Sequence, residues 1–114
     1  MDDIPRSWVM IHSNCWVDRD LQAVWHAGKC TGLSPRAWIL LTTLLNHAAI
    51  LVPNRVLLQA GWPESGATML DLYPYIHRLR QAIEPNPARP QWIMTRRGVG
   101  YVLYTAETRH PLAN

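Results

Sequence analysis

The sequence predicts an α+β domain made of a small antiparallel sheet, three helices and a C-terminal β-hairpin, in that order. Three observations carry this. Residues 8–33 hold four short apolar runs separated by turn residues. Residues 34–84 hold three segments whose apolar side chains recur at helical spacing. Residues 91–104 hold two strand-like runs on either side of Arg96-Arg97-Gly98-Val99.

The totals limit what such a domain does. At 114 residues the chain makes one domain with a core that needs no staples. It is 48% hydrophobic and only 17% charged, against about 25% charged in an average protein. That shortage suggests apolar surface covered by a partner. The net charge of +3 is unevenly placed. Residues 1–70 balance five basic side chains against five acidic ones, while residues 71–114 set six against three. The excess positive charge therefore lies in the last third, as a footprint for phosphate requires. Cys15 and Cys30 form no CxxC pair, and two buried, reduced thiols are a commoner arrangement than a redox pair. With no signal-peptide core and no apolar run near 18 residues, a soluble, cytoplasmic protein is expected. The histidines 12, 26, 47, 77 and 110 show no ligand spacing, and no nucleophile–base pair or phosphate-cradling glycine loop is present. Neither an enzyme nor a cofactor or metal site is expected.

Taken in order, residues 1–7 read as a flexible leader, 8–104 as the domain and 105–114 as a frayed C-terminal tail. The apolar runs 8–11, 15–17, 21–25 and 30–33 are the strands, with Gly28 suited to the left-handed position of a hairpin turn. Ser34-Pro35 opens the first helix as N-cap and first helical residue. Its apolar face is Ala37, Trp38, Leu41, Leu44, Leu45 and Ala48, and Ile39 falls on the opposite side. Residues 50–52 make a short strand, and Pro53 starts a second helix over 54–60 that buries Val56, Leu57 and Ala60. Three prolines within 84–90 exclude both helix and central strand there.

The third helix spans 71–84. Leu72, Ile76, Leu79 and Ile83 form its buried stripe, and Tyr73, Pro74, His77, Arg78 and Gln81 point away. Tyr75 and Arg80 lie at the flanks of that front. Proline in a helix interior costs about 3 kcal/mol. The spacing therefore predicts a start near Leu72 with Asp71 as N-cap, which puts Pro74 where no helical partner is lost.

Three helices followed by a hairpin with arginines at its tip make a winged helix-turn-helix pattern, with 71–84 as the helix for a DNA major groove and 95–101 as the wing for phosphate or the minor groove. Leu33-Ser-Pro-Arg36, Ile76-His-Arg-Leu-Arg80, Ile83-Glu-Pro-Asn-Pro87 and Thr95-Arg-Arg-Gly-Val-Gly-Tyr101 carry a further likeness. Over about residues 16–104 the chain resembles the C-terminal effector domain of OmpR/PhoB-type bacterial response regulators, the output half of two-component systems. The resemblance implies a four-stranded N-terminal sheet, three helices and a wing in a transcription regulator that binds double-stranded DNA. It implies DNA-facing residues Tyr73, Tyr75, His77, Arg78, Arg80 and Gln81 on the helix, Thr95, Arg96 and Arg97 on the wing, and Trp62 at the end of the second helix. Residues 62–70 would be the loop with which some members touch RNA polymerase.

The departures lie on the helix. Leu70, Asp71 and His77 stand where members often carry Arg, Thr and Arg, and Ala37 replaces a capping glutamate. Base preferences are therefore not transferable. The alternative function is a winged-helix module repurposed for protein–protein interaction, with weak or no DNA binding. The family's receiver domain has no room within this length, so a receiver or a second copy enters only as a partner expectation.

Overall fold

The computed structural model describes residues 4–64 and 66–108. Strands β1 (Trp8–His12), β2 (Cys15–Asp18), β3 (Ala23–His26) and β4 (Lys29–Gly32) form an antiparallel meander in chain order. The β3–β4 turn is the two residues Ala27 and Gly28, both left-handed (φ 51° and 78°), the geometry that matches the twist of its flanking strands. Cross-strand partners Cys15–His26 and Val17–Val24 sit on the inner face, with Cys15, Val17 and Val24 fully buried. The outer face carries Trp16, Trp25 and Cys30 side by side in register, and Trp8 stacks on Trp25 at 5.3 Å. The two cysteines thus lie on opposite faces and cannot pair. Burial pushes the Cys15 thiol up to about 12, with the nearby Glu84 carboxylate adding to the effect, which leaves it an inert apolar group.

Asp18 is buried at the edge of the tryptophan face. Its carboxylate accepts from the Asp20 and Leu21 N–H groups, both at 3.0 Å, and from the Trp25 indole at 3.1 Å. Burial alone would raise this carboxyl. The hydrogen bonds from Leu21, Trp25, Asp20 and Trp8 together outweigh it and hold the group below its ordinary value. Its stabilising contribution is therefore complete above the unfolded value of about 3.9 and is lost as pH falls through the lower folded value. Asp18→Asn is expected to flatten the acid limb of Tm against pH below about pH 4. An acid limb of unchanged steepness would show that these bonds do not favour the ionised form.

Helix α1 (Pro35–Asn46) starts as expected, with Ser34 Oγ accepting from Ala37 N–H at 3.3 Å. It buries Ala37, Leu40, Leu41, Leu44 and Leu45 and leaves Ile39 41% exposed. The short strand β5 (Val52–Pro53) leads into α2 (Asn54–Gly61), which buries Leu57. A loop then reaches α3 (Met69–Ile83). Strands β6 (Ile93–Arg96) and β7 (Gly100–Leu103) form the hairpin, and β5 pairs with β7 to complete a three-stranded sheet ordered β5-β7-β6. Gly98, with φ of 74°, serves the wing turn. Gly100 serves a different need, because a Cβ there would run into the Val52 carbonyl and the Pro53 backbone. One core joins Val17 and Val24 of the sheet, Leu41 and Leu44 of α1, Leu57 of α2, Leu72, Leu79 and Ile83 of α3, and Ile93 and Leu103 of the hairpin.

Helix α3 corrects the expected start at Leu72. It begins at Met69 and runs through Pro74. Thr68 is the N-cap and Asp71 the third helical residue of a capping box, in which the Asp71 carboxylate accepts from Thr68 N–H at 2.8 Å and Thr68 Oγ1 accepts from Leu70 N–H at 3.3 Å. The proline removes the bond to the Leu70 carbonyl, but Leu70 is 79% exposed, so water can take the partner's place. Capping, the acidic residue in the first turn and the packing of Met69 against the core offset what remains.

Residues 105–108, read as the start of a frayed tail, fold back instead. Ala106 N–H donates to the Ile11 carbonyl at 2.6 Å, and buried Thr105 bonds to Thr108, which closes part of the open edge of β1. Residues 1–3 of the expected leader and 109–114 of the tail lie outside the described residues. Among the described residues no helix is long and apolar enough to cross a membrane.

Candidate nucleic-acid interface

The outward face of α3 is formed because its four aliphatics, Leu72, Ile76, Leu79 and Ile83, are consumed by the core. What remains exposed is Tyr73, Pro74, His77, Arg78 and Gln81, as the helical spacing predicts. The earlier start adds Leu70 to this face. The sequence carried the signal for it, since Thr68-x-x-Asp71 is a capping-box pattern.

Arg78 is held by a ladder of rings and cations. Its guanidinium lies 5.0 Å over the Tyr75 ring, Tyr75 meets Trp62 edge-on at 5.5 Å, and Trp62 lies under the Arg36 guanidinium at 4.8 Å. Arg36 is in turn fixed by its bond to the Gly61 carbonyl at 2.8 Å. Stacking of this kind restrains an otherwise floppy side chain before any ligand arrives. Tyr75 and Trp62 are accordingly half-buried props, and Arg36, which the sequence marks only as the end of Leu33-Ser-Pro-Arg36, anchors the stack.

Arg80 is placed differently from its neighbours. Its Nε and Nη2 donate to the Ile93 carbonyl at 3.1 and 2.8 Å, and Nη2 also donates to Thr95 Oγ1 at 2.7 Å. The guanidinium is half-buried 5.9 Å from the Tyr101 ring centroid. Burial holds its pKa below the ordinary value against the opposing pull of the nearby Tyr101 and Glu84, and burial raises the phenol of Tyr101. Arg80 and Thr95 thus join α3 to the hairpin. Arg96 and Arg97 stand exposed beside them. A groove lined by Asn54, Met69, Tyr73, Arg96 and Arg97 separates the wing from the front of α3.

The far end of α3 is secured by groups that the sequence left scattered. His12 donates from Nε2 to the Ile83 carbonyl at 2.8 Å and His26 from Nδ1 to the Ala82 carbonyl at 3.1 Å, their rings 5.1 Å apart. These imidazoles satisfy the last carbonyls of the helix. Glu84, buried to 2% exposure, accepts from the N–H groups of Gln91, Trp92 and Ile93 at 2.7–3.1 Å.

Residues 28–103 match the family model described as "Transcriptional regulatory protein, C terminal". The chain belongs to this family. Among relatives of this regulator family, the KDP operon transcriptional regulatory protein KdpE of Escherichia coli (strain K12) is 33% identical over 90 residues, which are 78% of this chain and 40% of KdpE. The response regulator DrrB of Thermotoga maritima, an OmpR/PhoB homologue, superposes with a TM-score of 0.76 at 28% identity over 86% of this chain and 44% of DrrB. The DNA-binding domain of RstA from Klebsiella pneumoniae, solved with the RstA box, shares the fold with a TM-score of 0.69 at 22% identity, over 87% of this chain and 98% of that one. The chain thus spans less than half the length of KdpE and DrrB.

Proposed function

We propose that this domain binds double-stranded DNA in a sequence-specific manner as the DNA-reading part of a bacterial transcription regulator. The observation that carries the reading is the exposed front of α3, with His77, Arg78 and Gln81, next to a wing tip bearing Arg96 and Arg97. Arg78 and Gln81 supply donors suited to the guanine and adenine edges of the major groove, with His77 beside them. Arg96 and Arg97 supply charge for phosphate or the minor groove, and Tyr73 and Thr95 line the passage between the two. Tyr75, Trp62 and Arg80 act by holding these groups in place. Membership in a family of transcription regulators favours this reading over the protein-interaction alternative, and the RstA domain, solved with the RstA box, shares the fold. Under this reading the protein works in the cytoplasm, the loop between α2 and α3 is the surface available to RNA polymerase, and a receiver-type domain or a second copy is the further partner.

Binding to a mixed-sequence duplex measured against salt is expected to give a steep linear fall of log affinity with log salt. The Arg96→Ala/Arg97→Ala double variant is expected to reduce that slope by about 1.8, or about 0.9 per phosphate contact. Arg78→Ala should cost about 1–3 kcal/mol on a selected site and relax the preference at a single base pair. No binding at about 50 mM salt would reject the function.

A further inference from the structure

A second groove lies between α3 and β4, floored by Leu33, Ala37 and Ala82 and carrying Lys29, Arg78 and Gln81 with no carboxylate among its lining residues. Lys29, Arg78 and Gln81 are all exposed there. Around α3, Arg78 stands about 140° from Tyr73, five residues earlier. Tyr73 lines the groove on the wing side, so the two grooves flank the reading face. A helix about 10–12 Å across fills a major groove about 12 Å wide. Each flank of a helix seated there faces one of the two sugar-phosphate backbones.

The hairpin that presents Lys29 is fixed before binding. Lys29 follows the two-residue turn at Ala27 and Gly28, and His26, its cross-strand partner, is bonded to the Ala82 carbonyl of α3. The backbone at Lys29 is thereby tied to the end of α3 by a short path rather than by a loop.

We infer that Lys29, at the rim of this groove, takes a backbone phosphate on the strand opposite the one met by the wing, which makes the β3–β4 turn a second clamp on the duplex. This rests on the DNA-binding reading above. The phosphate is a general contact, so it adds affinity and orientation without choosing a base.

The test uses the full chain with mixed-sequence duplex, comparing Lys29→Gln and Lys29→Arg with the unchanged protein. Lys29→Gln is expected to make the salt slope shallower by about 0.9, with binding weaker by roughly tenfold at about 50 mM salt and roughly threefold at about 200 mM, whereas Lys29→Arg keeps the slope. Phosphate-ethylation interference on a selected site should lose one phosphate in Lys29→Gln, on the strand opposite the phosphates lost in Arg96→Ala/Arg97→Ala. An unchanged slope in Lys29→Gln, or loss of a wing-side phosphate, overturns the second clamp while leaving DNA binding intact. Absence of salt-dependent binding by the unchanged protein overturns the parent reading, and the clamp with it.

Discussion

Replacing Glu84 with alanine is expected to cost about 3–5 kcal/mol, the largest effect of any single polar side chain in the domain. The carboxylate is at 2% exposure and takes the N–H groups of Gln91, Trp92 and Ile93 as its partners. Those donors lead out of the proline-rich turn into β6, and Pro85, Pro87 and Pro90 bring no N–H of their own. Removing the acceptor strands the buried Ile93 donor and the part-buried donors of Gln91 and Trp92. For a domain of this size about 3 kcal/mol corresponds to a Tm lower by at least about 12 °C. Glu84→Gln keeps the shape and one oxygen but turns an amide group toward the donors, so its loss should be intermediate. A fall of less than about 4 °C in Glu84→Ala, measured by thermal unfolding, would show that the turn finds other acceptors.

Arg80→Ala is expected to cost about 1.5–3 kcal/mol of stability through its lost charged hydrogen bonds and to weaken DNA binding by uncoupling the wing. The structure explains why one side chain does both. Ile93 at the start of β6 has its N–H held by Glu84 and its carbonyl held by Arg80, so the end of α3 grips one residue from both sides. That grip sets where Arg96 and Arg97 stand relative to Arg78. In an Arg80→Ala background, removing the wing arginines should therefore cost clearly less than in the unchanged protein, a non-additivity read by a double-mutant cycle on DNA affinity. Arg80→Lys should recover little, because a single ammonium cannot reproduce the fork that spans Ile93 and Thr95. If Arg80 instead met phosphate directly, the two effects would add and the Tm would stay unmoved.

Much of this domain is legible residue by residue, and the failures have definite causes. The strands are bounded by turns whose backbone demands show in the sequence, as at Gly28. The buried stripe of α3 is written in its spacing, and the Ser34-Pro35 start of α1 is a local signal. The start of α3 was misread because the proline penalty was weighed against a full helix interior. At the real position the lost carbonyl partner, Leu70, faces solvent, and Thr68 with Asp71 caps the turn. The resemblance implies that Arg80 faces DNA and the helical wheel places it at the flank, but neither contains its bond partner. Its partner Ile93 lies 13 residues on, beyond a turn whose path the wheel does not contain. The same limit hid the pairing of His12 and His26 and the anchoring of Arg36 on Gly61.

By itself the sequence determined the order of elements, the buried face of each helix and the basic tip of the hairpin. Each of these follows from periodicity, turn chemistry and charge within a few neighbouring residues. The tertiary structure alone decided which of the exposed cations are free and which are committed. Arg78, Arg96 and Arg97 remain outward, while Arg80 and Arg36 are spent on backbone carbonyls of other segments. The physical reason is that a guanidinium takes whichever acceptor the fold brings within about 3 Å. Only the packing of α3 against the wing and of α1 against α2 puts those carbonyls there.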